Sequence, residues 1–162
     1  MTAERPANRA RVFARGTEIE VAVIAYTVTG HAIDRRRTTR PQVIVVAEDA
    51  DALRELWQIW LSHLGFEVVE ACTGAEALTL ATEHGPAAVI MDLSMPVMDG
   101  LEATRRLKQH PGTADVPVLI VTAHTSPAHR RAAEEAGCAA FVRKPVDPYQ
   151  LIDELRRVLA AV

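Results

Sequence analysis

Ala87-Ala88-Val89-Ile90-Met91-Asp92-Leu93-Ser94-Met95-Pro96-Val97-Met98-Asp99-Gly100 is the stretch on which the fold of this chain turns. A short apolar run leads into a lone carboxylate, and a turn containing Pro96 and ending at Gly100 follows. The run 87–91 has the length and composition of a strand buried on both faces. Asp92 then stands at the strand's carboxyl end, the edge of an open parallel sheet where ligands bind. On these residues alone, Asp92 reads equally well as a turn-capping carboxylate. The rest of the chain has to decide.

Outward from this stretch, strand and helix signals alternate from Gln42 onward. Strands are expected at 43–47, 66–70, 87–91, 116–122 and 139–142, and helices at 51–64, 74–84, 100–109, 127–136 and 148–160. Five such units imply an α/β fold, a parallel sheet with helices on both faces. The helix ends are marked in the sequence. Thr73 with Glu76, and Asp99 with Glu102, read as capping boxes. Ser126-Pro127 and Asp147-Pro148 place a capping residue before a first-turn proline. The first helix carries an apolar stripe of Leu53, Leu56, Trp57, Trp60, Leu61 and Leu64, with both tryptophans read as core. Ile59 falls on the opposite face beside Glu55, Ser62 and His63, where it suits a partner contact.

Composition bounds the function. The chain has 162 residues, 49% of them hydrophobic and 24% charged, which supplies enough apolar surface for a core without disulfides. The two cysteines, Cys72 and Cys138, show no metal or redox spacing, and a reducing cytoplasm suits them best. The net charge of −3 and the 4% aromatic content do not suggest a nucleic-acid surface, and no apolar run reaches the length of a membrane span. The six histidines show no ligand spacing. Charge is unevenly placed: residues 1–41 carry a net +4 and residues 42–162 a net −7. Residues 1–41 are therefore read as a separate basic leader, with 1–16 disordered and one marginal strand within 18–29. An Arg-rich docking arm, a secretory signal and a segment upstream of the natural start are its competing readings. Residues 42–162 are the folded domain, and no second domain is expected after Val162.

The carboxyl ends of the strands carry the chemistry. The first ends in Glu48-Asp49, the third in Asp92, the fourth in Thr122, and the fifth runs into Lys144-Pro145. Three carboxylates at close quarters call for a cation, and an all-oxygen set suits Mg²⁺. Lys144 offers a positive charge to a phosphoryl oxygen and Thr122 a hydroxyl donor. A carboxylate beside Mg²⁺ and a lysine is equipped to attack phosphorus.

With these residues in view, the chain resembles the receiver domain of two-component response regulators, of the single-domain, CheY-like type. The resemblance rests on Val45-Val46-Ala47-Glu48-Asp49, the stretch from Met91 to Gly100, Val121-Thr122-Ala123 and Phe141-Val142-Arg143-Lys144-Pro145. It covers about residues 42–160. It implies a five-stranded parallel sheet in the order 2-1-3-4-5, the flavodoxin-like receiver fold. It further implies that Asp92 is the phosphoacceptor and that Glu48, Asp49, Asp92 and the Ser94 backbone carbonyl hold Mg²⁺. Lys144 would contact the phosphoryl group, Thr122 and Phe141 would switch, and the Lys144–Pro145 bond would be cis. Ser94 and His124 would flank the phosphoryl group. Two residues depart from the common family pattern: Glu48 stands where many members have Asp, and Phe141 where many have Tyr.

Three functions follow. The first is a stand-alone phosphoryl-accepting switch, not an enzyme with turnover, fed by a histidine kinase or phosphotransfer protein. It would act on a downstream protein, with phosphorylation-dependent homodimerisation left open and no direct nucleic-acid or membrane contact expected. The second is a phosphorylation-independent docking module on the same fold. The third is an aspartyl-phosphate hydrolase, disfavoured because Ser94 stands two residues after Asp92, where those enzymes carry a second Asp.

Overall fold

A computed structural model describes residues 9–14, 17–22 and 41–161. The chain divides into two units, Met1–Thr39 and Arg40–Val162. In the first, β1 (Arg9–Ala14) and β2 (Thr17–Ala22) pair antiparallel, with Val12 opposite Ile19 and Ala14 opposite Thr17. Strand β1 differs from the expected disorder at residues 9–14; residues 1–8 and 15–16 lie outside the described residues. The strand's own sequence alternates weakly, but its hydrogen bonds come from a neighbouring strand rather than from local periodicity. The strand expected within 18–29 is present as far as Ala22; residues 23–29 lie outside the described residues.

The second unit runs β3 (Val43–Ala47), α1 (Asp51–His63), β4 (Glu67–Ala71), α2 (Gly74–His84), β5 (Ala88–Met91), α3 (Gly100–Gln109), β6 (Val118–Thr122), α4 (Pro127–Glu135), β7 (Ala140–Arg143) and α5 (Pro148–Leu159). The five strands of this unit are all parallel and lie in the order β4-β3-β5-β6-β7. Counted within the unit, that is 2-1-3-4-5. The strand order reverses between β3 and β5, so their carboxyl ends flank the crevice where such sheets bind ligands.

Side chains on successive strand positions point to opposite faces, and the core divides accordingly. Ile44, Val46, Ile90, Leu119 and Val121 pack with Trp57 and Leu61 of α1 and Leu151, Leu155 and Val158 of α5. Val45, Ala47, Val89, Met91, Val118 and Ile120 pack with Ala77 and Ala81 of α2, Ala103 and Leu107 of α3 and Ala133 of α4. Each fully buried Leu, Ile or Val contributes about 1.5–3 kcal/mol relative to exposure. The two tryptophans lie edge to face with ring centroids 5.4 Å apart; Trp57 is buried and Trp60 packs against the cluster's rim.

Caps set the helix starts. Thr73 Oγ1 accepts the Glu76 N–H at 3.1 Å, and Asp99 Oδ1 accepts the Glu102 N–H at 2.9 Å. Ser126 and Asp147 cap α4 and α5 in the same way. The Glu76 carboxylate reaches back to the Cys72 N–H rather than to that of Thr73. Four strands differ from expectation by one or two residues: β5 begins at Ala88, β7 runs Ala140–Arg143, and the starts of β4 and β6 each have a physical reason. Strand β4 begins at Glu67, because Phe66 turns into the core as the chain leaves α1. Strand β6 begins at Val118, after Pro117, which has no N–H for the ladder.

Candidate functional site

Strands β3 and β5 are adjacent, and the Asp92 N–H still bonds to the Ala47 carbonyl at 2.9 Å. That bond carries the register one residue past the strand and sets Asp92 beside Glu48. Glu48, Asp49 and Asp92 each offer a carboxylate oxygen within 4.8 Å of the others. Lys144, delivered from the end of β7, bridges two of them. Its Nζ donates to Glu48 Oε2 at 2.6 Å and to Asp92 Oδ2 at 3.0 Å. The other oxygens are also engaged: the Leu93 N–H donates to Asp92 Oδ1 at 2.7 Å, and the Ala50 N–H to Glu48 Oε1 at 3.3 Å. Glu48 and Asp92 are buried and Asp49 is exposed.

The electrostatics follow from this packing. Burial raises the Glu48 carboxyl above its ordinary range, and the hydrogen bond from Lys144 offsets only part of that rise. Burial pulls the Lys144 ammonium down, but the bonds to Glu48 and Asp92 outweigh it and its pKa is raised. Both directions hold together: Lys144 has two carboxylates, whereas Glu48 shares one ammonium with Asp92 and feels the Asp92 charge as repulsion. One ammonium against three carboxylates leaves the cluster short of positive charge. The all-oxygen donor set fits a hard divalent cation such as Mg²⁺.

The turn from Asp92 to Gly100 is held tightly. The Gly100 N–H donates to the Leu93 carbonyl at 3.0 Å, and the Gly74 N–H at the start of α2 donates to the Met98 carbonyl at 3.1 Å. Between them the Met98 N–H bonds to the Pro96 carbonyl at 2.8 Å, and the central Val97 takes φ 70°. That γ-turn geometry is strained, and a β-branched residue is the least suited to positive φ. Val97 is 92% exposed, so its side chain recovers little by burial. Replacing Val97 with Gly is expected to raise stability by about 1 kcal/mol, read from the urea midpoint at unchanged slope.

The remaining residues singled out in the sequence stand at different distances from the cluster. Thr122 is fully buried, and its Oγ1 accepts the His124 N–H at 3.1 Å. His124 contacts the Ser94 hydroxyl at 3.5 Å and stacks edge to face on His129. The Lys144–Pro145 bond is cis. Phe141 is half-buried, with the Arg130 guanidinium carbon 4.7 Å from its ring centroid. Ile59 is half-buried on α1 and belongs to neither core cluster. One residue was not foreseen. Arg54, on the first turns of α1, donates to the Glu48 carbonyl at 2.7 Å and pairs with Asp51 and Glu70. Its position six residues after Glu48 was the available signal.

The fold and this cluster of acids with a lysine define a class, and comparison with known proteins agrees. Residues 44–156 match the family model described as the response regulator receiver domain. The chain is 30% identical over 119 residues to the polar-differentiation response regulator DivK of Brucella anthropi, covering 74% of this chain and 97% of DivK. It is 39% identical over 121 residues to the transcriptional regulatory protein PrrA of Mycobacterium tuberculosis, covering 75% of this chain. It spans about half of PrrA, 51% of its length. Among solved structures, the receiver domain of the sensor histidine kinase PA1611 from Pseudomonas aeruginosa superposes with a TM-score of 0.70 at 28% identity, covering 74% of this chain and 98% of that one. That structure has a magnesium ion coordinated in its active-site cleft. The chain belongs to the response regulator receiver domain family of two-component systems. Phosphorylation of an aspartate and use of magnesium are general features of that family. Among the described residues, no helix is long and apolar enough to cross a membrane.

Proposed function

We propose that this chain is a phosphoryl-accepting switch in which Asp92 takes a phosphoryl group from a phosphohistidine on a kinase or phosphotransfer protein in the cytoplasm. The observation that carries the reading is the convergence of Glu48, Asp92 and Lys144 from three strand ends, with Asp49 beside them. A carboxylate oxygen of Asp92 attacks phosphorus. The bond from phosphorus to the donor nitrogen breaks, its electron pair stays on the imidazole, and an acyl phosphate results. Lys144, released from the carboxylates, meets the phosphoryl oxygens. Glu48, Asp49, Asp92 and the Ser94 carbonyl are the groups that would hold Mg²⁺, which when bound neutralises charge on the transferring group. Thr122 gives up its bond to the His124 N–H and turns its hydroxyl toward the new oxygens. Phe141 moves inward, changing the surface of α4, β7 and α5 that a downstream protein reads. Ile59 on α1 is the proposed contact for the phosphodonor. Intact mass after incubation with Mg²⁺ and acetyl phosphate tests the reading: an adduct supports it, and none in a folded sample favours a docking module that works without phosphorylation.

The raised Glu48 carboxyl adds a pH dependence. A raised pKa means that acidification protonates Glu48 at a higher pH than an exposed glutamate. The cation site loses that charge as pH falls through the raised Glu48 value. Mg²⁺ affinity measured by calorimetry is expected to begin falling while ordinary carboxylates are still ionised. In Glu48→Gln it should be weaker at neutral pH and flatter across the same window. An unchanged pH profile in that variant would exclude Glu48 as the responsible group.

A further inference from the structure

The first turn of α4 touches Phe141 directly and reaches Thr122 through His124, by different side chains. His129 stacks on His124 with ring centroids 5.4 Å apart, and the His124 N–H is the donor held by Thr122 Oγ1. One residue on, the Arg130 guanidinium carbon lies 4.7 Å from the centroid of the Phe141 ring. Phe141 is partly buried and packs against the cluster formed by the sheet with α2, α3 and α4. Among the described residues, Arg130 forms no ion pair. Its cation is thus committed to the negative face of the ring rather than to a carboxylate. Beside it lies a hollow of about 310 Å³ that Glu134, Cys138 and Phe141 help to line, so the guanidinium has room to leave when the ring does.

We propose that Arg130 is a positioning residue that holds Phe141 in its half-buried resting orientation in the unphosphorylated protein. The inference rests on the proposed switching role of Phe141. It assigns the resting bias of that switch to a cation–π contact between α4 and β7. Phe141 has no hydroxyl, so no hydrogen bond of its own can fix either orientation. A flat cation resting over the ring supplies the missing preference. Because α4 carries both contacts on consecutive residues, release of Thr122 from the His124 N–H and release of Phe141 from Arg130 both loosen the same helical turn. The two movements are thereby coupled through α4. An exposed cation–π contact corresponds to a bias of roughly two- to fivefold in the ring's orientation.

The test is ¹⁹F NMR of the full chain carrying 3-fluorophenylalanine, with the Phe141 resonance assigned by Phe141→Leu. Spectra are taken for wild type, Arg130→Gln and Arg130→Lys, before and after Mg²⁺ with acetyl phosphate. The expected result is that Arg130→Gln moves the resting Phe141 resonance toward its phosphorylated position, with the inward population up about two- to fivefold. Arg130→Lys, which keeps the cation, should restore much of the wild-type position. The initial rate of adduct formation should rise in Arg130→Gln by a similar factor. A resting resonance unmoved in Arg130→Gln, while the wild-type resonance still shifts on phosphorylation, overturns the role of Arg130 and leaves the switch intact. A wild-type resonance that does not shift despite a phosphoryl adduct overturns the switching role of Phe141, and the Arg130 inference with it.

Discussion

Asp92→Asn is expected to form no phosphoryl adduct at any concentration of acetyl phosphate, while remaining as stable as the wild type to within about 1 kcal/mol. The chemistry fails outright because an amide oxygen is too weak a nucleophile to attack phosphorus, and because the cation site loses one of its three carboxylates. The fold survives for reasons visible in the site. An Asn Oδ1 still accepts the Leu93 N–H, now held at 2.7 Å. Lys144 keeps Glu48 at 2.6 Å, so no ammonium is stranded. Removing a negative charge also relieves the repulsion that Glu48 feels from Asp92. Intact mass and urea unfolding on the same preparations separate the two effects. An adduct persisting on Asp92→Asn would move the acceptor to another residue, with Asp49 first in line. Loss of folding would mean that the Asp92 charge itself holds the turn.

Much of this fold was legible because its signals are local. The apolar runs before Glu48 and Asp92 are short and unbroken, the caps at Thr73, Asp99, Ser126 and Asp147 are adjacent to their helices, and the alternation of strands and helices leaves few topologies. The candidate site was legible to the extent that its residues sit at strand ends. What was not legible depends on contacts between distant positions. The bond from Lys144 to Glu48, 2.6 Å long, spans 96 residues. Arg130 over Phe141 joins a helix to the next strand, and nothing in the spacing of the two residues marks it. The positive φ of Val97 runs against its residue type, so propensity points away from it. Strand β1 depends on pairing with β2, which a weak alternation does not announce.

Gly100→Ala is expected to be among the most damaging single substitutions in the domain, costing about 4 kcal/mol or more. A Cβ at Gly100 would lie 2.0 Å from the Asp92 carbonyl oxygen, 2.9 Å from its carbonyl carbon and 3.0 Å from Leu93 Cα. All three are backbone atoms, so no side chain can rotate away. Either the start of α3 moves or the Asp92 main chain does. Moving α3 breaks the bond from the Gly100 N–H to Leu93 and disturbs the buried Thr104 hydroxyl, which donates to the Gly100 carbonyl at 2.6 Å. Moving Asp92 shifts the carboxylate that Lys144 holds. Gly85→Ala is the matched control. There φ is 54° and nothing lies within 4 Å of the added carbon, so the cost is left-handed backbone strain alone, about 1–2 kcal/mol. Urea unfolding of the two variants should therefore differ severalfold in lost stability, and any folded Gly100→Ala protein should accept phosphoryl groups poorly while Gly85→Ala accepts them normally. Equal losses in the two variants would show that the turn after Asp92 yields to the added methyl, and that its close approach to α3 is not what fixes the acceptor.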